Sequence, residues 1–179
     1  MTGSAAGDEL VEVVDELGVV ERVVTRAEMR RNNLRHRNVA VVVQRGDGRI
    51  VVHQRADWKD VYPSHWDVAF GGVPAVGESD VHAAVRELAE EAGIVADTDA
   101  LVDLGSQTHT NDDVSWYARF YVVRTDAELY PADGEVQRMD VVAPGELDAW
   151  AASVPVCPDV HPLLSTLVDA LPQSGGFST

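Results

Sequence analysis

Two valine- and isoleucine-rich runs in the stretch VAVVVQRGDGRIVVHQR, residues 39–55, are joined through Asp47-Gly48. Asp-Gly supplies the positive φ angles of a tight hairpin turn, and β-branched residues favour strands. The stretch therefore predicts a β-hairpin, and the chain around it must build a sheet. Upstream, EVVDELGVVERVVTRAEM predicts two more short strands around residues 16–18, an N-terminal hairpin over residues 9–25, then a short helix or turn. Downstream, VYPSHWDVAFGG reads as a loop entering a short strand. LVDLGSQTH and VSWYARFYVVR read as strands about the turn THTNDD, and MDVVAP as the last strand. Short helices are expected at residues 146–151 and 160–171. The tail PQSGGFST, residues 172–179, is expected to be disordered.

One helix stands in the middle of these strands. Ser79 or Asp80 can cap its start, since a short side-chain oxygen accepts from the free N–H groups of the first turn. Val81, Val85, Leu88 and Ala92 recur at three- and four-residue intervals, and Gly93 can take the left-handed conformation that ends it. Strands surrounding a central helix, with another helix at the end, give an α+β layered domain with a mixed sheet. At 179 residues the chain is expected to form a single domain over residues 1–171.

That helix breaks local rules. At ~100° per residue, Glu87, Glu90 and Glu91 share an arc well away from the valine stripe, so all three are expected on one exposed or cleft-facing side. Like charges three or four apart cost roughly 0.2–0.5 kcal/mol each, and anions near a helix C-terminus oppose its dipole. Arg86 offsets only part of this. Local defects without local compensation are where function is expected.

Net charge is −16, which argues against a nucleic-acid polymer or an anionic membrane as partner. A polyanionic substrate would then need metal ions or local basic residues. The run RAEMRRNNLRHR, residues 26–37, holds five of the 14 basic residues. Such a run is usually a solvated helix face; the alternative is that it holds a phosphate or a partner subunit. Cys157 is the only cysteine, which excludes an internal disulfide and a cysteine zinc cluster. The acidic start lacks the order of a secretory signal, and no apolar run approaches a membrane span, so a cytoplasmic location is expected.

Three clustered glutamates beside glycine turns suit a hard, oxygen-seeking cation, Mg²⁺ or Mn²⁺, shared with substrate phosphates. From Gly72 the chain runs five residues to Glu78, seven more, then Arg86-Glu87-Leu88-Ala89-Glu90-Glu91-Ala92-Gly93-Ile94. This stretch resembles the signature of the Nudix hydrolases at every fixed position. Seven specified residues match by chance at about one site in 10⁸. The resemblance covers residues 11–171 and implies an α/β/α sandwich with a central catalytic helix. It also implies cleavage of a diphosphate linkage in a nucleoside diphosphate derivative with Mg²⁺ or Mn²⁺. By position, Glu90 and Glu91 resemble the family's principal metal ligands, Glu87 a further ligand or the general base, and the Gly72 carbonyl another ligand. Glu78 and Arg86 resemble residues that orient this catalytic set. A further carboxylate from a later loop is implied, with Glu135 the first candidate and Asp112 and Asp113 after it.

LRHRNVAVVV and HQRADWKDVYPSHWD resemble the isopentenyl-diphosphate isomerase branch of the family, which implies that Arg55 and Lys59 bind the substrate diphosphate. Ordinary surface charge is their other reading. Gly71 and Val73 stand where the isomerases carry a catalytic Cys and a metal-binding His, and Cys157 is far away in sequence. His36 stands at a metal-binding position of that branch, yet a lone histidine is more often structural. The sequence therefore reads as a hydrolase on an isomerase-like frame, the alternatives being an isomerase or a non-catalytic nucleotide-binding module. Ser64, His65 and Asp67 lie too close in one loop to suggest a triad. His53, His82, His109 and His161 show no metal-ligand spacing and read as structural. Trp58 and Tyr62 could stack on a base or line a pocket, whereas Trp66 reads as core. A homodimer is a family-level expectation.

Overall fold

The computed structural model describes residues 5–131 and 134–160, together with Leu164 and Leu171. In chain order the elements are α1 (Ala5–Asp8), β1 (Leu10–Val14), β2 (Val20–Thr25), α2 (Arg26–Arg31), β3 (His36–Gln44), β4 (Ile50–Arg55), β5 (Trp66–Asp67) and β6 (Phe70–Gly72). There follow α3 (Asp80–Ala92), β7 (Val102–Thr110), β8 (Ser115–Arg124), β9 (Val136–Val142) and α4 (Leu147–Ala151). The expected terminal helix over residues 160–171 falls mostly outside the described residues, and the tail 172–179 lies outside them altogether.

The nine strands form one mixed sheet organised on β3. It runs parallel to β8 along its whole length, from His36↔Trp116 to Gln44↔Arg124, and antiparallel to β6 from Val39 to Val41. The expected hairpin closes at the Asp47-Gly48 turn, where Gln44 pairs with Ile50, but its strands then part. β4 leaves to pair with β9 and β5. Both runs are apolar on both faces, so each takes its own neighbours and buries its two sides separately.

Alternate residues of β3 feed two cores. Val39, Val41 and Val43 pack with Phe70, Ala83, Ala84, Leu88 and Ala92, beneath α3. Val42 and Ala40 face the other way, toward Trp66, Trp116, Leu147, Val160 and Leu164. This is an α+β Nudix-type α/β/α sandwich with a mixed sheet. Trp66 is core, its ring edge-on to Trp150 at 6.0 Å. A third cluster joins the N-terminal hairpin to the domain: Val11, Val13 and Val24 close over Met29 of α2 and over Val73.

α3 ends as the sequence predicts, with Gly93 at φ 69°. A Cβ there would also stand 2.3 Å from the Tyr130 carbonyl oxygen. The left-handed conformation alone costs an L-residue roughly 1–2 kcal/mol. Gly93→Ala should therefore lower the unfolding free energy by at least that much, read as an earlier midpoint in urea; an unchanged midpoint would refute this packing. At the other end Ser79 takes the cap position, but its Oγ meets His82 Nδ1 at 2.8 Å and caps no backbone N–H.

Of the glutamate arc, expected on an exposed or cleft-facing side, Glu91 is the cleft-facing member, lining the cavity described below at only 4 % exposure. The valine stripe misplaced the inner face of the helix. Small Ala83 and Ala84 let α3 lie close on β6 and β3, and both are fully buried. Glu91 follows Ala84 by seven residues, so it is rotated only ~20° from it and turns toward the sheet.

Candidate active site

β6 brings two glycines against α3. A Cβ on Gly71 would lie 1.9 Å from the Val39 carbonyl oxygen, and one on Gly72 would lie 2.6 Å from Glu87 Oε1. Glycine at 71 lets β6 lie close on β3, and glycine at 72 lets the Glu87 carboxylate approach the strand. The Gly71 N–H donates to Glu91 Oε2 at 2.8 Å. This is a charge-assisted bond holding a carboxylate that burial would otherwise leave stranded.

Arg86 organises the exposed side. Its Nε and Nη2 donate to the two oxygens of Glu78, at 3.2 and 3.0 Å, in a forked pair. Its Nη1 donates to Glu87 Oε1 at 2.8 Å and to Glu90 Oε2 at 3.1 Å. One guanidinium thus serves three carboxylates, which is more compensation than the sequence spacing suggests. The hydrogen bonds from Arg86 lower the Glu78 pKa, and those to Glu78 raise the pKa of Arg86. Glu78 Oε2 also accepts from the Ala75 N–H, which fixes the loop before α3.

No such relief reaches Glu91. Burial pushes its carboxyl well above the ordinary range, with Lys59 acting against the rise and Glu87 and Glu135 adding to it. Glu87 is raised too, mainly by burial, with Arg86 opposing. Glu135, expected from a later loop, pairs with Lys59 Nζ, and its backbone carbonyl accepts from the Ala56 N–H at 2.8 Å. The structure thus gathers Glu87, Glu90, Glu91, Glu135, Lys59 and Arg86 around one cavity of about 790 Å³, with Gly72 and Arg55 also in its wall. Asp112 and Asp113 stay in the turn after β7 and do not line it.

The other residues named from sequence sort clearly. Tyr62 lines the cavity, its hydroxyl accepting from Asn111 Nδ2 at 2.8 Å, and Trp58 lines it while remaining 62 % exposed. His36 is in the wall, and burial pushes its pKa down to about 4, so it is neutral at pH 7. His53 is buried and stacked on Phe70 at 4.4 Å, away from the cavity. His109 packs on Trp116, and His161 lies outside the described residues. Ser64, His65 and Asp67 make no hydrogen bond to one another: His65 Nδ1 contacts the Pro63 carbonyl, and Asp67 accepts from the Val68 and Ala69 N–H groups.

The sequence gives several cavity residues no place in the site. Asp67, weighed only for a triad, is one, with burial pushing its pKa up to about 6. Cys157 and Asp159 are two more, brought to the wall from the far end of the chain. Burial raises the Cys157 pKa far above the ordinary thiol value, so this sulfur stays protonated. No local signal marks these positions. Arg26 and Arg30 also line the cavity, and the basic run was their signal. Arg37, from the same run, is not solvated either: it pairs with Glu12, donates to Asp80 Oδ1 at 2.6 Å and to the Glu78 carbonyl at 2.8 Å. It ties the N-terminal hairpin to the start of α3.

Among the described residues no group of three or more His, Cys, Asp or Glu side chains is arranged to hold a metal as it stands. Arg86 and Lys59 hold carboxylate oxygens of Glu87, Glu90 and Glu135. The donor chemistry nevertheless fits a hard cation. The side-chain donors are carboxylate oxygens, the lack of a side chain at Gly72 lets the Glu87 carboxylate stand against the strand, and burial raises the pKa of Glu87 and of Glu91. Among the described residues no helix is long and apolar enough to cross a membrane.

Comparison with known proteins places this arrangement. The chain is 33 % identical over 173 residues to an uncharacterised Nudix hydrolase of Pseudomonas aeruginosa, covering 95 % of this chain and all of the relative. It is 31 % identical over 168 residues to an uncharacterised Nudix hydrolase of Rhodococcus erythropolis, covering 88 % and 91 % of the two chains. A Deinococcus radiodurans protein, DR0079, superposes with a TM-score of 0.74 at 24 % identity, over 88 % of this chain and 98 % of that one. The Nudix domain of Shewanella oneidensis NrtR, solved with ADP ribose, superposes with a TM-score of 0.63 at 16 % identity, over 83 % and 100 %. These two structural likenesses speak for the fold alone. The NUDIX domain family matches residues 34–160, a span that takes in both cores and the carboxylate helix, and the chain belongs to that family.

Proposed function

We propose that this chain is a divalent-metal-dependent hydrolase that cleaves a diphosphate linkage in a nucleoside diphosphate derivative or related organic pyrophosphate by water attack on phosphorus. The observation that carries the reading is the buried Glu91 beside Glu87, two carboxylates raised together at the wall of one cavity. Groups at odds with their surroundings mark functional sites.

In this reading Glu90 and Glu91, with Glu87 and the Gly72 carbonyl, are the ligands of Mg²⁺ or Mn²⁺. Such an ion supplies the counter-charge and polarises the phosphoryl oxygens. The Arg86 fork aims Glu87 and Glu90, and the Gly71 N–H aims Glu91. Glu87 or Glu135 accepts the proton of the attacking water; a carboxylate with a raised pKa, such as Glu87, is the better base near neutral pH. Arg55 and Lys59 face the anionic substrate, Lys59 exchanging its Glu135 partner for phosphate. The net charge of −16 favours a small-molecule role with no nucleic-acid polymer or anionic membrane as partner.

The isomerase-like branch accounts for Arg55 and Lys59, but isomerase chemistry lacks its groups. Gly71 and Val73 replace the Cys and His, and the Cys157 thiol, although in the cavity wall, is held protonated. A non-catalytic nucleotide-binding module is the other reading. The test is a panel of nucleoside diphosphate sugars, ADP ribose, dinucleoside polyphosphates, NADH, nucleoside triphosphates and isopentenyl diphosphate, with and without Mg²⁺. Metal-dependent release of a monophosphate supports hydrolysis; double-bond migration, or binding without turnover, overturns it. On the best substrate, Arg55→Ala should raise KM about tenfold or more with little change in kcat. An untouched KM would remove Arg55 from the phosphate contact.

A further inference from the structure

The cavity holds a second group of charges, opposite in sign to the glutamates. Arg26 and Arg30 come from α2 and Arg55 from the end of β4, and all three line its wall. A protein of net charge −16 has here set three guanidinium groups within electrostatic reach of one another. Arg26 has a carboxylate partner, Glu9 Oε2 at 2.7 Å. Arg55 does not: among the described residues its Nε donates only to the Val61 carbonyl, at 3.3 Å. Arg30 is the least satisfied. Its Nε is shut off from solvent without a hydrogen-bond partner, and Asp60 Oδ2 stands 3.6 Å away, beyond hydrogen-bond reach, on a side chain that is 65 % exposed. Burial lowers the Arg30 pKa, and Arg26 and Arg55 lower it further.

We propose that Arg30 and Arg55, backed by Arg26, form an anion subsite for a terminal phosphate, so that the substrate is a compound ending in a free phosphate rather than a diphosphate substituted at both ends. A phosphate esterified on both sides offers two non-bridging oxygens and one negative charge. A terminal phosphate offers three oxygens and up to two charges, enough to take forked bonds from two guanidinium groups at once. The loosely held Asp60 is the counter-ion such a group would displace. This selects nucleoside di- and triphosphates and prenyl-type diphosphates over nucleoside diphosphate sugars and dinucleotides. The inference rests on the reading of the cavity as a diphosphate site, but its test needs neither metal nor turnover.

That test is calorimetric titration of the whole protein in EDTA with inorganic pyrophosphate, ADP and ADP ribose. ADP and pyrophosphate should bind, and ADP at least tenfold more tightly than ADP ribose. Arg30→Met should weaken ADP and pyrophosphate at least tenfold, Arg30→Lys less so, and neither should change the affinity for ADP ribose. Asp60→Asn should bind ADP as tightly as the wild type or more tightly. A structural role for the Arg30–Asp60 pair predicts the opposite: both Arg30→Met and Asp60→Asn lower the melting temperature and leave ADP affinity alone. Equal affinity for ADP and ADP ribose, or an unchanged Kd in Arg30→Lys where Arg30→Met does not fold, overturns the subsite. If the EDTA pattern appears but no panel compound is hydrolysed with Mg²⁺, the subsite stands and the hydrolase reading falls.

Discussion

Glu91→Gln should abolish turnover while leaving the metal-free protein at least as stable as the parent. The glutamine keeps the size of the side chain and an oxygen for the Gly71 N–H, so the packing under α3 survives. What it loses is the charge. Removing one preorganised electrostatic group of this kind costs on the order of 10²–10³ in kcat. Stability moves the other way, because burial, above all, raises the Glu91 pKa above the ordinary 4.5 of a glutamate. Such a group contributes stability below that value, and the contribution disappears as pH rises through the folded-state pKa. Each unit of rise costs the ionised form ~1.4 kcal/mol. At pH 8 without metal, Glu91→Gln should therefore melt several degrees above the parent, and below about pH 4.5 the two should converge. Melting curves across pH check this; a variant less stable at pH 8 would mean that Glu91 is already neutralised by Lys59.

Arg86→Ala should be the second large effect. Among the described residues it removes the only hydrogen-bond donor to Glu87 and to Glu90, and both arms of the fork on Glu78. Partners that orient ligands in this way are worth about 10- to 100-fold in activity or metal affinity. Arg86→Lys should recover little, since an ammonium cannot fork to Glu78 and reach Glu87 and Glu90 together. The readout that separates aiming from mere folding is the Mn²⁺ dissociation constant. It should weaken in both variants even where circular dichroism is unchanged. Unaltered Mn²⁺ affinity would make Arg86 a structural residue only.

Much of this site could be read along the chain, and the reasons for the rest are physical. The box residues lie within one strand-loop-helix segment, so the family resemblance could name Gly72, Glu78, Arg86, Glu87, Glu90 and Glu91 without any long-range contact. The Gly93 cap and the Asp47-Gly48 turn follow from backbone preferences that act within a few residues. The depth of Glu91 was not legible, because helical periodicity counts large apolar residues and overlooks the alanines that set how closely a helix sits on its sheet. The parallel pairing of β3 with β8 joins segments about eighty residues apart, and no turn chemistry specifies it. Asp67, Cys157 and Asp159 meet only through that topology. Lys59 and Glu135 were each picked as charged residues near the site, but their pairing belongs to the folded loop alone.

The most direct measurement is calorimetric titration of Mn²⁺ or Mg²⁺ into the wild-type chain and into Glu91→Gln at the same pH, in two buffers of different ionisation enthalpy. With Glu87 and Glu91 raised by burial, binding should occur in the wild type with release of protons and should fail or weaken severely in the variant. Identical binding in both proteins, or no binding to the well-folded wild type, would contradict the placement of the cation among these glutamates.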